Sequence, residues 1–212
     1  QICLHTAFLG GVTFLASTEM TGNQIVMQCA ISESRFDKNS YSRYEWDHVV
    51  EIFQKFNDTK FLILDEQTSL ERIQSEARKY ALRHDRIDLI VVDYLQQVSV
   101  PAKERRDLEV AEISATFKSL AKELHVPVVA CSQLSREVDK RENQRPCLGD
   151  LRESGSLEQD ADMVIFIWID PKNQKVNLIV DKHRNGETGT FPVHFEKKFT
   201  RFYDVDPTYA PI

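Results

Sequence analysis

The chain has 212 residues, 42% of them hydrophobic and 28% charged, with a formal net charge of −6. That balance suits one folded domain and excludes disorder as the main state. An acidic chain does not coat nucleic acid by bulk charge, so any such contact has to come from a local patch. No apolar run approaches the roughly 20 residues that span a membrane. The first residues, Gln1 to Leu9, lack the basic region and cleavage site of a signal peptide. Cys3, Cys29, Cys131 and Cys147 are spaced for neither a zinc site nor a disulfide framework. Reduced thiols and a cytoplasmic location are expected.

In chain order, Val12 to Ala16 reads as a buried strand, followed by helical spacing from Gln24 to Ile31. Trp46 to Phe56 places Val49, Val50, Phe53 and Phe56 on one side of a helix. Phe61 to Leu64 is a second strand, and Leu70 to Leu82 a helix with Leu70, Ile73, Ala77, Tyr80 and Ala81 on its apolar side. Leu89 to Val92 is a third strand. Leu108 to Leu124 is the clearest helix, with Val110, Ile113, Phe117, Leu120 and Leu124 in one stripe. Val126 to Cys131 and Val164 to Ile169 complete five short, β-rich runs of the kind covered on both faces in a parallel sheet. This alternation predicts an α/β fold with right-handed crossovers. The tail differs: Val176 to Asp181, Thr190 to Phe195 and Arg201 to Asp204 read as strands joined by turns such as Asn185-Gly186. Two long polar segments, Ser99 to Asp107 and Ser135 to Ser156, are candidate functional loops.

The chemistry-bearing residues cluster at strand ends. Asp93 closes the run Leu89 to Val92, where an acid can hold the water shell of a nucleotide-bound Mg²⁺; it can equally cap the next turn. Glu19 follows the first strand, where a carboxylate can polarise an attacking water or simply open the next helix. Gln133 follows the fourth, where its amide can meet a γ-phosphate or serve as a turn residue. Lys182 and Arg184 sit at i and i+2, one face of a strand, where they can reach a neighbour's phosphates or blunt an exposed edge. Singly each is ambiguous. Together Glu19, Asp93 and Gln133 fall at one edge of one sheet, the layout of an NTPase core.

Five stretches in order, LASTEM (15–20), LIVVDYLQ (89–96), EVAEISATFKSLAKELHVPVVACSQLSR (109–136), RPCLGDLRESGSLEQDAD (145–162) and DKHRNGETGT (181–190), carry a resemblance to the C-terminal, RecA-like motor domain of DnaB-type replicative helicases. The resemblance implies a RecA-like P-loop NTPase core, a mostly parallel sheet flanked by helices with a C-terminal antiparallel extension. It implies one motor domain over residues 1–212, using ATP and Mg²⁺. Glu19 then matches the catalytic glutamate, Asp93 the Walker B aspartate acting on Mg²⁺ through water, and Gln133 the γ-phosphate sensor. Lys182 and Arg184 match the pair that acts on the adjacent subunit's ATP, with Arg184 as the finger. Arg152, Glu153 and Gly155 match the loop that grips single-stranded DNA, and Arg106 a basic residue of the first central-channel loop. The implied assembly is a homo-hexamer moving 5′ to 3′ on single-stranded DNA, with primase and helicase loader as partners. Lys103, Arg105 and Arg106 supply local positive charge near that loop, offset in part by Glu104. Two other readings are a P-loop-less relative that binds DNA or a helicase without hydrolysis, and a RecA-type recombinase. The five chemical residues held together argue against the first, and the DLRESG and KHRNG stretches against the second.

The sequence departs from the family first in its P-loop: no G-x-x-x-x-G-K-[ST] occurs in it. The resemblance places that loop directly before a helix that here begins near Gln1, and the family's N-terminal domain and linker helix have no counterpart in these residues. Without the P-loop lysine and hydroxyl the β- and γ-phosphates lose their main cradle. The 212-residue chain by itself is therefore expected to bind MgATP weakly and to form no stable hexamer. Equilibrium nucleotide titration and sedimentation check both, and tight binding or a stable six-subunit species would refute them.

Overall fold

The computed structural model describes residues 1–35, 43–66 and 68–205, without the side chains of 43–45 and 152–154. The chain divides into two compact units, residues 1–133 and 134–212.

In the first unit the elements run α1 (Ile2–Phe8), β1 (Val12–Ser17), α2 (Gly22–Ser34), α3 (Arg43–Asn57), β2 (Lys60–Leu64), α4 (Leu70–His84), β3 (Leu89–Asp93), α5 (Arg106–Leu124) and β4 (Val128–Ala130). The four strands are all parallel, in the order β2-β1-β3-β4. Each apolar run expected to be a strand is one, because short β-branched segments flanked by turns fit a pleated layer covered on both sides. On one face Leu15, Phe61, Leu89 and Val91 pack with Cys3 of α1. On the other, Phe14 meets Tyr80 of α4 at a ring separation of 6.4 Å. Ile73 of α4 and Ile113 and Leu120 of α5 are fully buried. A bidentate pair from Arg78 to Glu123, 2.7 and 2.8 Å, ties α4 to α5. β4 is shorter than the run Val126 to Cys131 and half-exposed, as an edge strand with one neighbour among the described residues.

Local signals set the helix ends. Thr21 caps α2 in a full capping box with Gln24, and Ser69 caps α4 by accepting the Arg72 N–H. Asp88 pins the start of the sheet: its carboxylate accepts the Val12 N–H at 2.7 Å, while its own N–H donates to the Val12 carbonyl at 2.8 Å.

The second unit has α6 (Gly155–Asp160) and an antiparallel sheet of β5 (Met163–Ile169), β6 (Val176–His183), β7 (Gly189–Glu196) and β8 (Arg201–Asp204), in that order. The antiparallel tail matches expectation. β5 does not fit the two-sided burial read from its apolar run. It pairs antiparallel with β6, and among the described residues only one face is covered, by Leu148 and Leu151 against Val164, Phe166 and Trp168. Ile165, Ile167 and Ile169 on the other face are at least half exposed. An unbroken apolar run states that neither face is polar; it does not state which face has a neighbour.

The first unit's core predicts its sensitivity. Phe14→Ala is expected to destabilise the fold by about 3–5 kcal/mol. Leu82→Ala, at a side chain 81% exposed on α4, should stay within about 0.5 kcal/mol. Urea unfolding of the two variants checks the contrast.

Candidate functional site

Parallel pairing brings the carboxyl ends of β1, β3 and β4 to one edge. Ser17 lies opposite Asp93, and Val92 opposite Ala130. The β1 and β3 ends are locked by Thr18, a residue the sequence reasoning did not single out. Its main-chain N–H donates to the Asp93 carbonyl at 2.7 Å and its hydroxyl to the same oxygen at 2.9 Å. The hydroxyl in turn accepts the Tyr94 N–H at 2.9 Å. One residue back, the buried Ser17 hydroxyl donates to the Met20 carbonyl at 2.8 Å and accepts the Met20 N–H at 3.1 Å. This tight turn holds Glu19 on the outside of the edge, exposed, where an open cleft runs along α2 past Asn23, Gln24 and Met27.

Asp93 is half-buried at the end of β3. The thiol of Cys131 is pushed up to about 11, by burial first and then by the charge of Asp93 and a hydrogen bond between the two side chains. It is therefore protonated at neutral pH. No group of three or more His, Cys, Asp or Glu side chains forms a metal cage among the described residues. A single edge carboxylate fits a Mg²⁺ that keeps most of its waters and arrives with a nucleotide's phosphates, rather than one held by protein alone.

Gln133, three residues beyond β4, is exposed. Its main chain is held by Gln96 of the 3-10 turn Leu95–Gln97, which follows β3. Glu19, Asp93 and Gln133 thus come together at one edge, as expected.

The basic segment is less bare than its sequence suggests. Lys103 pairs with Glu112, Arg105 with Asp107 and Arg106 with Glu109. The three acids belong to the first turns of α5, where carboxylates are favoured by the helix N-terminus. Net positive charge there is largely cancelled in the isolated chain.

In the second unit, Lys182 donates to the carbonyls of Glu158 and Gln159 at the end of α6. Arg184 donates to the Asp162 carboxylate at 2.7 Å and its N–H to the Asp162 carbonyl at 2.8 Å. Lys182 is in β6, whereas Arg184 is the first residue of the turn after it rather than a strand residue, and both are engaged within their own chain. Gly186 in the turn that follows lies against the His183 ring; a Cβ there would come within 2.3 Å of it. The side chains of Arg152 and Glu153 lie outside the described residues. Gly155 is helical, φ −53°, and nothing lies within 4 Å of where a Cβ would be. The surrounding fold does not require glycine at this position.

The loop that carries these residues is organised by Asp150, 2% exposed. Its carboxylate takes both arms of Arg141 and accepts the Cys147 N–H at 2.8 Å. Its carbonyl accepts the Ser135 N–H at 3.0 Å. Asp181 of β6 accepts the Leu148 N–H at 3.0 Å. Neither Asp150 nor Arg141 was legible as a site-forming residue, since nothing in their spacing announces the pair.

The family model described as DnaB-like helicase C-terminal domain matches residues 2–204. A replicative DNA helicase DnaB of Buchnera aphidicola subsp. Acyrthosiphon pisum is 40% identical over 218 residues, covering 95% of this chain and 48% of that protein. A replicative DNA helicase DnaB of Haemophilus influenzae is 38% identical over 202 residues, covering 88% of this chain and 43% of that protein. A solved ATPase domain has a similar structure, with a TM-score of 0.89 and 28% identity over 96% of this chain and 78% of its own. A DnaB-like replicative helicase, described with its interactions with primase, gives a TM-score of 0.90 and 28% identity over 96% of this chain and 53% of its own. The chain spans about half the length of the curated relatives it matches. No helix among the described residues is long and apolar enough to cross a membrane.

Asp150 sets a pH dependence. Burial raises its carboxyl, but the hydrogen bonds from Arg141 and the Cys147 N–H outweigh burial and hold it below the ordinary carboxylate range. A depressed folded value means the contribution is fully present above the unfolded pKa and is lost as pH falls through the folded one. Thermal melts should therefore show the second unit weakening below about pH 4. In Asp150→Asn that acid limb should flatten, and an unchanged acid limb would contradict the assignment.

Proposed function

The chain belongs to the DnaB-like helicase C-terminal domain family, and on that premise we propose that it is the motor part of a replicative DNA helicase. In this reading ATP hydrolysis at the interfaces of a homo-hexamer drives 5′ to 3′ movement on single-stranded DNA and unwinding of the duplex. The observation that carries the proposal is the shared carboxyl edge of the adjacent parallel strands β1, β3 and β4: Asp93 ends β3, and Glu19 and Gln133 follow β1 and β4 within three residues. Ligands of open α/β sheets bind at that edge.

Mg²⁺ bound with the nucleotide would supply charge neutralisation at the phosphates and the leaving group. Asp93 would hold it through water, kept in place by the Thr18 bridge behind it. Glu19 would accept the proton of the attacking water at a carboxylate oxygen, and its exposure leaves that oxygen open to solvent. Gln133 would donate its side-chain amide toward the terminal phosphate. Lys182 and Arg184 would serve the neighbouring subunit's nucleotide. Arg184 rests on Asp162 in an exposed pair, and exposed pairs are worth at most about 1 kcal/mol. Exchanging Asp162 for a phosphate oxygen is thus energetically easy.

Single-stranded DNA would meet Arg152, Glu153 and Gly155 of the segment that Asp150 organises, and Arg106 at the start of α5. Gly155 supports that role. It is the first residue of α6, with nothing within 4 Å of where a Cβ would be, so the surrounding fold makes no use of its missing side chain. Its value would lie in letting a phosphate approach the main chain. The ion pairs of Lys103, Arg105 and Arg106 are exposed and can be traded for phosphates as several such loops converge in a ring. A primase is proposed as a partner, by analogy with the relative described together with one, and a helicase loader as a second.

The test is Arg184→Ala in the intact hexamer. Turnover should fall by about 10³-fold or more, the value of an arginine finger, with nucleotide affinity little changed. An equal loss of binding, or retained turnover measured by phosphate release, would argue against the trans-acting role.

A further inference from the structure

We propose that Gln96 is a positioning residue that ties the nucleotide sensor Gln133 to the segment carrying Arg106. The inference rests on the motor reading above and adds to it the physical link between the two ligands.

Gln96 is half-buried in the 3-10 turn directly after the β3 edge. Its side-chain amide spans 36 and 37 residues of sequence to reach the end of β4. Nε2 donates to the Ser132 hydroxyl at 2.9 Å and to the Gln133 carbonyl at 3.4 Å. Oε1 accepts the Gln133 N–H at 3.2 Å. A main-chain N–H can be met only by the oxygen and a carbonyl only by the amino group, so the network fixes which way the amide faces. Among neutral side chains of this length, only glutamine supplies both a donor and an acceptor at its tip.

This grip uses the main chain of Gln133 and none of its side chain, which stays available to a phosphate. The turn that carries Gln96 is itself fastened to β4, with the Leu95 N–H donating to the Cys131 carbonyl at 3.0 Å. From the other side, the guanidinium of Arg106 donates to the Gln96 carbonyl and to Glu109. One residue therefore receives the sensor through its side chain and the proposed DNA-contacting arginine through its main chain. A shift of Gln133 toward or away from a nucleotide moves the amide that holds it, and with it the carbonyl on which Arg106 rests. Arg106 is half-exposed, so it can leave that carbonyl for a DNA phosphate at little cost. DNA binding and nucleotide state then compete for, or reinforce, one turn.

The experiment uses the full-length hexamer and a fluorescent oligothymidylate. Its dissociation constant is measured with a non-hydrolysable ATP analogue and with ADP, and the readout is the ratio of the two. A coupled wild type gives a ratio in the range of about 5–150. Gln96→Leu keeps the side chain's bulk and removes its hydrogen bonds. Its ratio should fall to within about twofold of one while affinity for the ATP analogue stays within about threefold. Gln96→Glu keeps the acceptor for the Gln133 N–H and should give an intermediate ratio. If Gln96→Leu retains the wild-type ratio, or loses nucleotide affinity in step with it, the positioning role is overturned. Should Gln96→Leu fail to fold, an unchanged ratio in Gln96→Glu overturns it instead. A wild-type ratio of one would remove the motor reading and this inference with it.

Discussion

The parallel pairing of β1 with β3, closed at its carboxyl end by Thr18, is the constraint on which the rest of the first unit depends. Parallel strands carry slanted, evenly spaced hydrogen bonds and need both faces covered. Here α1 covers one face, and α4 with its partner α5 the other. Register then leaves no choice about what meets at the edge: Ser17 must face Asp93, and the next residue must sit beside Tyr94. Thr18 satisfies the polar main-chain groups left over where the ladder stops. Such groups are costly when half-buried and unpaired. The acid at position 19 and the acid at position 93 are brought together as a by-product of that satisfaction.

The second unit solves a different problem. A loop of mostly polar residues has no core of its own, so its shape has to come from side chains that reach back to the main chain. Asp150 does most of this, taking Arg141 and the Cys147 N–H inside the fold and presenting its carbonyl to Ser135. The two cations at the end of β6 fasten the other end of the same segment, at residues 158–162. Residues proposed for DNA and residues proposed for a neighbour's nucleotide are thereby set on one hydrogen-bonded framework.

Charge in this protein is managed locally. The chain is acidic overall, and its most basic segment is matched side chain for side chain by the acids that open α5. Such exposed pairs are weak and screened by salt. They keep the isolated surface neutral without committing the cations permanently. The buried carboxylate of Asp150 with Arg141 is the opposite case, since desolvation makes its removal expensive and its geometry fixed.

The sequence by itself determined most of the elements and their order, though not the short helical turns and α6 between residues 136 and 160. Short β-branched runs and amphipathic stripes are local signals, and α4 and α5 bury the stripe residues expected of them. It also determined that Glu19, Asp93 and Gln133 follow strands, which in a parallel sheet means one edge. The tertiary structure alone decided which strand joins which sheet, as β5 shows: its apolar run is silent on whether a neighbour covers each face. It alone decided the supporting contacts as well. Thr18 reaches 75 or 76 residues along the chain, Gln96 36 or 37, and Leu148 33 to Asp181. A hydroxyl, amide or carboxylate has no periodicity of its own, so its partner is defined only once register and packing have brought distant main-chain groups within hydrogen-bonding reach.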